Sequence, residues 1–136
     1  MADQIKIKII SPDRIFYEDE VDLIVISTTE GEMGLLYDHE PVTGIIDTTV
    51  VLIRKGEEEK RAAIHGGFVE VQPTSVTILA DSSEWPDEID VERAEESKKR
   101  AKQRLIDSNA SNLNITRANI ALQKALNRIE ASKYRK

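Results

Sequence analysis

The chain has 136 residues, a net charge of −6, 40% hydrophobic residues and no cysteine. That length suits one average domain or two small modules, while the missing thiols exclude disulfides and thiolate metal sites and favour an intracellular setting. The start Met-Ala-Asp-Gln lacks the basic and apolar run of a signal peptide, and no stretch approaches the ~20 apolar residues of a membrane span, so a soluble protein is expected.

Residues 4–10 alternate, with Ile5, Ile7 and Ile9 on one side and Lys6 and Lys8 on the other, the period of a half-buried strand. Further β-rich runs cover 21–28, 49–54, 61–64, 68–71 and 76–80. Turn signals separate them: Ser11-Pro12-Asp13, Glu30-Gly31, Lys55-Gly56-Glu57, His65-Gly66-Gly67 and Gln72-Pro73-Thr74. Lys55-Gly56-Glu57 stands between two runs able to pair as a hairpin. Strands with one wet face need a second layer over the dry one, so the spacing predicts two packed antiparallel sheets over residues 1–86.

The grammar changes near Asp87. Asp87, Glu88 and Asp90 supply acidic groups at a helix start, and a helix is predicted from about 90 to 106 with a thin apolar stripe of Val91, Ala94, Ala101 and Leu105. Residues 107–112 read as a polar turn, with Asn114 as the cap of a second helix reaching about 133. Ala118, Ala121, Leu122, Ala125, Leu126 and Ile129 share one face of it, so residues 87–136 are predicted to form an antiparallel two-helix hairpin zipped on small side chains. Burying a few hundred Å² gives on the order of 10 kcal/mol gross. Ordering the two helices costs several times that, so their resting position should depend on what they touch.

The C-terminal stretch is basic: residues 113–136 hold six Lys or Arg against one Glu, which leaves the rest of the chain more acidic than its total suggests. Glycine-rich phosphate loops, a nucleophile elbow and zinc spacings are all missing from the sequence. Only His39 and His65 offer an imidazole; His39 lies between Asp38 and Glu40, whose side chains do not converge on one centre when consecutive, and both histidines read as structural or interface residues. The chain therefore reads as a non-catalytic interaction protein that requires no cofactor.

Three segments carry a resemblance. Gly31 to Pro41 reads GEMGLLYDHEP, His65 to Val71 reads HGGFVEV, and Ile89 to Ala94 reads IDVERA. In this order and spacing they resemble the epsilon subunit of F-type ATP synthases, over essentially the whole chain. Tyr37-Asp38 stands where many members have Pro-Gly.

The resemblance implies a rotor subunit of the central stalk, at the cytoplasmic face of the cell membrane and touching the membrane only through the complex. Its sandwich would bind the gamma subunit and the ring of c subunits, with Gly31, Glu32, Gly34, His39 and Pro41 in the contacting loop. Its helices would lie folded or extend along gamma to the alpha and beta subunits and block hydrolysis. Lys124, Arg128, Lys133 and Arg135 would form a basic strip meeting acidic residues of a beta subunit. The acidic total and the lack of exposed aromatics argue against nucleic acid.

The IDVERA segment also resembles that of members that bind ATP as a regulatory ligand. Carried over residue by residue, it implies Glu84, Asp90, Arg93, Arg100, Lys124 and Arg128 as the nucleotide contacts, with Lys124 replacing an arginine and so losing a planar two-pronged donor. Asp90 as a helix cap, with the arginines paired to Glu92 or Glu96, is the alternative for those positions. For the chain as a whole, the rival reading is a standalone nucleotide-sensing or adaptor protein.

Overall fold

The computed structural model describes residues 3–107, 109 and 111–135. The chain divides into two compact units, Met1–Trp85 and Pro86–Lys136. Two positions of the predicted turn at 107–112, Ser108 and Ala110, lie outside the described residues.

The first unit holds strands β1 (Ile5–Ser11), β2 (Arg14–Val21), β3 (Leu23–Thr28), β4 (Gly31–Leu35), β5 (Val42–Lys55), β6 (Glu58–Val71), β7 (Ser75–Ala80) and β8 (Ser83–Glu84). They form a single hydrogen-bonded sheet in the order β2-β1-β7-β6-β5-β3-β4, with β8 on β6, rather than two separate sheets. Every pairing is antiparallel except β1 with β7, which run parallel. Nothing in either strand's own sequence sets that direction; it follows from the route of the intervening chain.

The sheet closes over its core because its two longest strands serve both layers. One end of β6, Gly67 to Val71, pairs with β7, and the other, at Ala63 and Ile64, pairs with β8. Between these stretches the chain bends at Gly66 and Gly67, whose φ angles of 85° and 141° suit only glycine. The Gly-Gly step is therefore a kink inside one strand and not the turn its composition suggested. Nine fully or nearly buried isoleucines, from Ile5 to Ile78, dominate the core. At about 1.5–3 kcal/mol for each large apolar side chain removed from water, they supply on the order of 20 kcal/mol gross, and their branched Cβ suits the pleated backbone.

Carboxylates tie the layers at one end. Asp19 of β2 accepts two hydrogen bonds of 3.0 Å from Lys55 Nζ at the end of β5. Asp22, between β2 and β3, accepts from Gly56 N at 2.6 Å and from Gln4 Nε2 at 3.3 Å, which clamps the Gly56-Glu57 hairpin. The Lys55 bond lowers the Asp19 pKa, and the Gly56 amide lowers that of Asp22. A carboxyl whose folded pKa is depressed adds stability above its unfolded value and loses it as pH falls through the folded one. Asp22→Asn is therefore expected to lower the thermal midpoint more at pH 7 than in acid below the ordinary carboxylate range; a difference that stays constant as the pH falls would refute the linkage. Burial, then the hydrogen bond to Asp19, pushes Tyr17 up to about 12. Its contribution is complete below about pH 10 and is lost above it as pH rises through the folded value.

In the second unit a 3₁₀ turn (Pro86–Glu88) precedes α1 (Val91–Ile106) and α2 (Asn112–Ser132). Asp90 caps α1 by accepting from Arg93 N at 3.1 Å. Ser111 caps α2, accepting from Asn114 N at 3.2 Å, so the helix starts before Asn114, which occupies its first turn instead of its cap. The helices pack on each other, and a connection this short makes them antiparallel. Ala94, Ala101, Ala118 and Ala125 are buried. Each alanine contributes about one methyl group, so this seam is far weaker than the isoleucine core.

Candidate functional site: an outer apolar row and a basic hairpin flank

The signature loop starts at a two-residue turn where Thr28 Oγ1 donates to Gly31 O at 3.0 Å and accepts from Glu30 N at 3.2 Å. Gly31 takes φ 126°. Gly31, Glu32 and Gly34 lie exposed on β4, and Pro41 is exposed in the loop after it. Asp38 adopts φ 65°, the conformation a glycine there would take, and donates its backbone N–H to Pro73 O at 2.6 Å. His39 uses Nδ1–H on Glu40 O at 2.7 Å, a local contact that shapes the loop.

Beside that loop lies a feature the sequence reading missed. Ile45 pairs with Phe68, Phe68 with Leu79, Leu79 with Ile10 and Ile10 with Ile15, so five apolar residues line up across β5, β6, β7, β1 and β2. Ile45 is 62% exposed, Phe68 39%, Leu79 50% and Ile15 59%, which places the row on the outer face. The next row out, Thr43, Glu70, Thr77, Lys8 and Glu18, is polar, with Lys8 paired to Glu18 at 3.4 Å. At the Ile45 end a cleft of about 410 Å³ joins the row to Gly31 and Glu32 of the signature. Scattered exposed leucines are ordinary, but a contiguous apolar stripe marks an interaction surface. Its signal was present: in a strand neighbours point to opposite faces, so the doublets Ile9-Ile10, Ile15-Phe16, Ile45-Ile46, Phe68-Val69 and Ile78-Leu79 each put one apolar side chain outside.

Of the predicted nucleotide residues, Glu84 lies in the first unit. Its Oε1 accepts from His65 Nε2 at 3.0 Å. His65 is 2% exposed, and its Nδ1 is buried without a hydrogen-bond partner. Glu84 can only accept here, so the proton between them sits on His65 Nε2. An imidazole so enclosed suits a structural pair, not a catalytic base.

The other five residues belong to the second unit. Arg93 and Arg100 are exposed, while Lys124 and Arg128 are half-buried. Arg93 precedes Ala94, Arg100 precedes Ala101 and Lys124 precedes Ala125. Positions that precede the seam residue fall on the same flank of two antiparallel helices, and Arg128, four beyond Lys124, stacks one turn away on that flank. Matching seven-residue spacings set Ala94 level with Ala125, so Arg93, Lys124 and Arg128 cluster near the start of α1. Arg100 stands ~10 Å further along, at 1.5 Å per residue. Arg100 Nη2 donates to Ser97 Oγ at 3.2 Å. Lys133 comes directly after the last residue of α2 and pairs with Glu130 at 2.9 Å, and Arg135 lies beyond it, so these two do not extend the helical strip.

Among the described residues no helix is long and apolar enough to cross a membrane. Family models agree with the architecture: the ATP synthase delta/epsilon chain beta-sandwich domain matches residues 4–86, and the delta/epsilon chain long alpha-helix domain matches 87–133. The ATP synthase epsilon chain of Halalkalibacterium halodurans is 40% identical over 93% of this chain and 95% of its own. That of Clostridium novyi is 42% identical over 96% of this chain and 98% of its own. In structure, a chain of the Euglena gracilis mitochondrial ATP synthase shares the fold, with a TM-score of 0.84 at 24% identity over 98% of this chain and 84% of that one. On these matches, which span both units, the chain belongs to the ATP synthase delta/epsilon chain family.

Proposed function

We propose that this chain is the epsilon subunit of an F-type ATP synthase, a non-catalytic part of the central rotor at the cytoplasmic face of the cell membrane. The observation that carries the reading is the outer apolar row ending beside the signature loop. The row takes the gamma subunit, and the loop of Gly31, Glu32, Gly34, His39 and Pro41 meets the ring of c subunits. A rigid sheet with a dense isoleucine core suits torque transmission, because such cores have few alternative packings.

The helical unit acts as a brake on hydrolysis. Its weak alanine seam lets it leave a folded pose and extend along gamma, where Lys124 and Arg128 meet acidic groups of the alpha and beta subunits. A complex reconstituted with a chain ending at Glu88 is expected to assemble and to hydrolyse ATP severalfold faster than one with the full chain. Equal rates would refute the brake.

ATP is the regulatory ligand of this reading, held by Arg93, Arg100, Lys124 and Arg128 on the cationic flank with Asp90 at its end. Glu84 is left with His65. A ligand shifts the pose only by its preference for one state. Calorimetry of the isolated chain is expected to show ATP binding that Arg93→Ala weakens by about 10- to 100-fold, the worth of a charged hydrogen bond. Unchanged affinity in the variant would remove this site.

A further inference from the structure

Four of the six glycines take positive φ angles, and the fold needs them there. Gly44 is crowded, since an added Cβ would come 3.4 Å from Thr28 Cγ2 and 3.6 Å from Val69 Cγ1. Gly34 has neither reason. Its φ lies outside the positive region, and an added Cβ would meet only the end of the Leu23 side chain, at 4.0 Å. A glycine inside a strand costs stability, and one with room for a methyl group marks a place where another backbone comes close.

Among the described residues β4 pairs only with β3 and so forms an edge of the sheet. The two-residue turn closes on the pair of Thr28 with Gly31, so Gly31, Met33 and Leu35 bond β3, while the N–H and C=O of Glu32 and Gly34 face the open side. Leu35 is buried, and strand neighbours point to opposite faces, so the missing Gly34 side chain belongs to the outer face, where the residue is exposed. Main chain arriving from that face reaches the open edge with no side chain in its way.

Charge defines the occupant. From Ile15 to Ile53 the sequence has nine acidic residues and no Lys or Arg, and Glu30, Glu32 and Glu40, on and beside β4, are exposed. A second copy of the chain would bring the same carboxylates and be repelled, whereas a basic segment is attracted.

We infer that β4 seats a basic, extended segment of the ring of c subunits, which crosses the bare backbone at Gly34 and hydrogen-bonds to the open edge of Glu32 and Gly34. This rests on the ring contact proposed above and supplies its mode. Gly31 shapes the turn, and Gly34 makes the contact.

Binding of the full chain to the detergent-solubilised ring, followed by surface plasmon resonance at low salt, is expected to weaken about tenfold or more with Gly34→Val and less with Gly34→Ala. Both variants should melt at or above the wild-type temperature. Raising the salt to about 0.5 M should weaken wild-type binding severalfold. A Gly34→Val affinity within twofold of wild type would overturn the seat, and binding indifferent to salt would overturn its basic occupant. A wild-type chain that binds gamma but not the ring would overturn the ring contact itself, and the seat with it. Hydrogen exchange on the unmodified chain gives a second readout. Ring binding should slow the Glu32 and Gly34 amides about tenfold or more and leave that of Met33, already bonded to β3, little changed; no added protection at Glu32 and Gly34 would also overturn the inference.

Discussion

A chain carrying Phe68→Asp is expected to fold as the wild type does and to lose its gamma partner. Phe68 sits in the middle of the outer row with Ile45 and Leu79 as its register neighbours, and its side chain reaches solvent. Replacing an exposed strand residue changes stability by about 1 kcal/mol or less. At the centre of an apolar interface the same change removes a buried aromatic anchor and leaves a carboxylate without water or a partner. Losses of that kind reach about 2 kcal/mol or more, about 30-fold in affinity and upward. Glu70→Lys, one polar row away, should weaken binding only modestly and change its salt dependence. Co-purification with gamma and a thermal midpoint for each variant would decide the matter. If Phe68→Asp binds as wild type does, the row is not the interface.

Gly67→Ala should damage the fold itself. The residue has φ 141°, a region nearly closed to other amino acids, and an added Cβ would drive into the carbonyl oxygen of Leu79 on β7 with the Ala80 Cα 3.0 Å away. Both obstacles are backbone, so no side chain can swing aside. Strain of roughly 1–3 kcal/mol adds to an overpacking cost of similar size, giving on the order of 4 kcal/mol in all. For a unit of this size that lowers the melting temperature by roughly 20 °C. Gly56→Ala offers the contrast: its φ is 62° but nothing stands within 4 Å of the added methyl, so only the conformational cost of about 1–2 kcal/mol remains. Equal melting points for the two variants would contradict this account of the kink.

The same kink shows where sequence reading stopped. Gly66-Gly67 looked like a turn because composition marks backbone freedom and not the use made of it; here it bends one strand across both layers. β2 is absent from the predicted β-rich runs for a related reason: Glu18, Asp19 and Glu20 hide its alternation, yet an edge strand tolerates charge on every exposed position. The half-buried strands with clean alternation, such as Ile5–Ser11, were legible, and so were both helices, since their period is local, although the cap of α2 is Ser111 and not Asn114. Pairing partners are not local, which is why the parallel contact of β1 with β7 went unseen. For the candidate site, the signature loop was legible as a motif. The outer row was written in apolar doublets whose alignment appears only when five strands are set in register. Glu84 looked like a free ligand until His65, nineteen residues away, was found on it.

The alanine stripe between α1 and α2 has a further bearing on how the helices behave. Methyl groups offer no knob that demands one particular hole, so the surface that joins these helices would seat almost as well against any third helix with a similarly smooth side. Trading one such neighbour for another exchanges like for like, and the net free-energy change stays small. An arm assembled this way can switch companions in response to modest changes in a ligand or a charge, because neither companionship is deeply preferred.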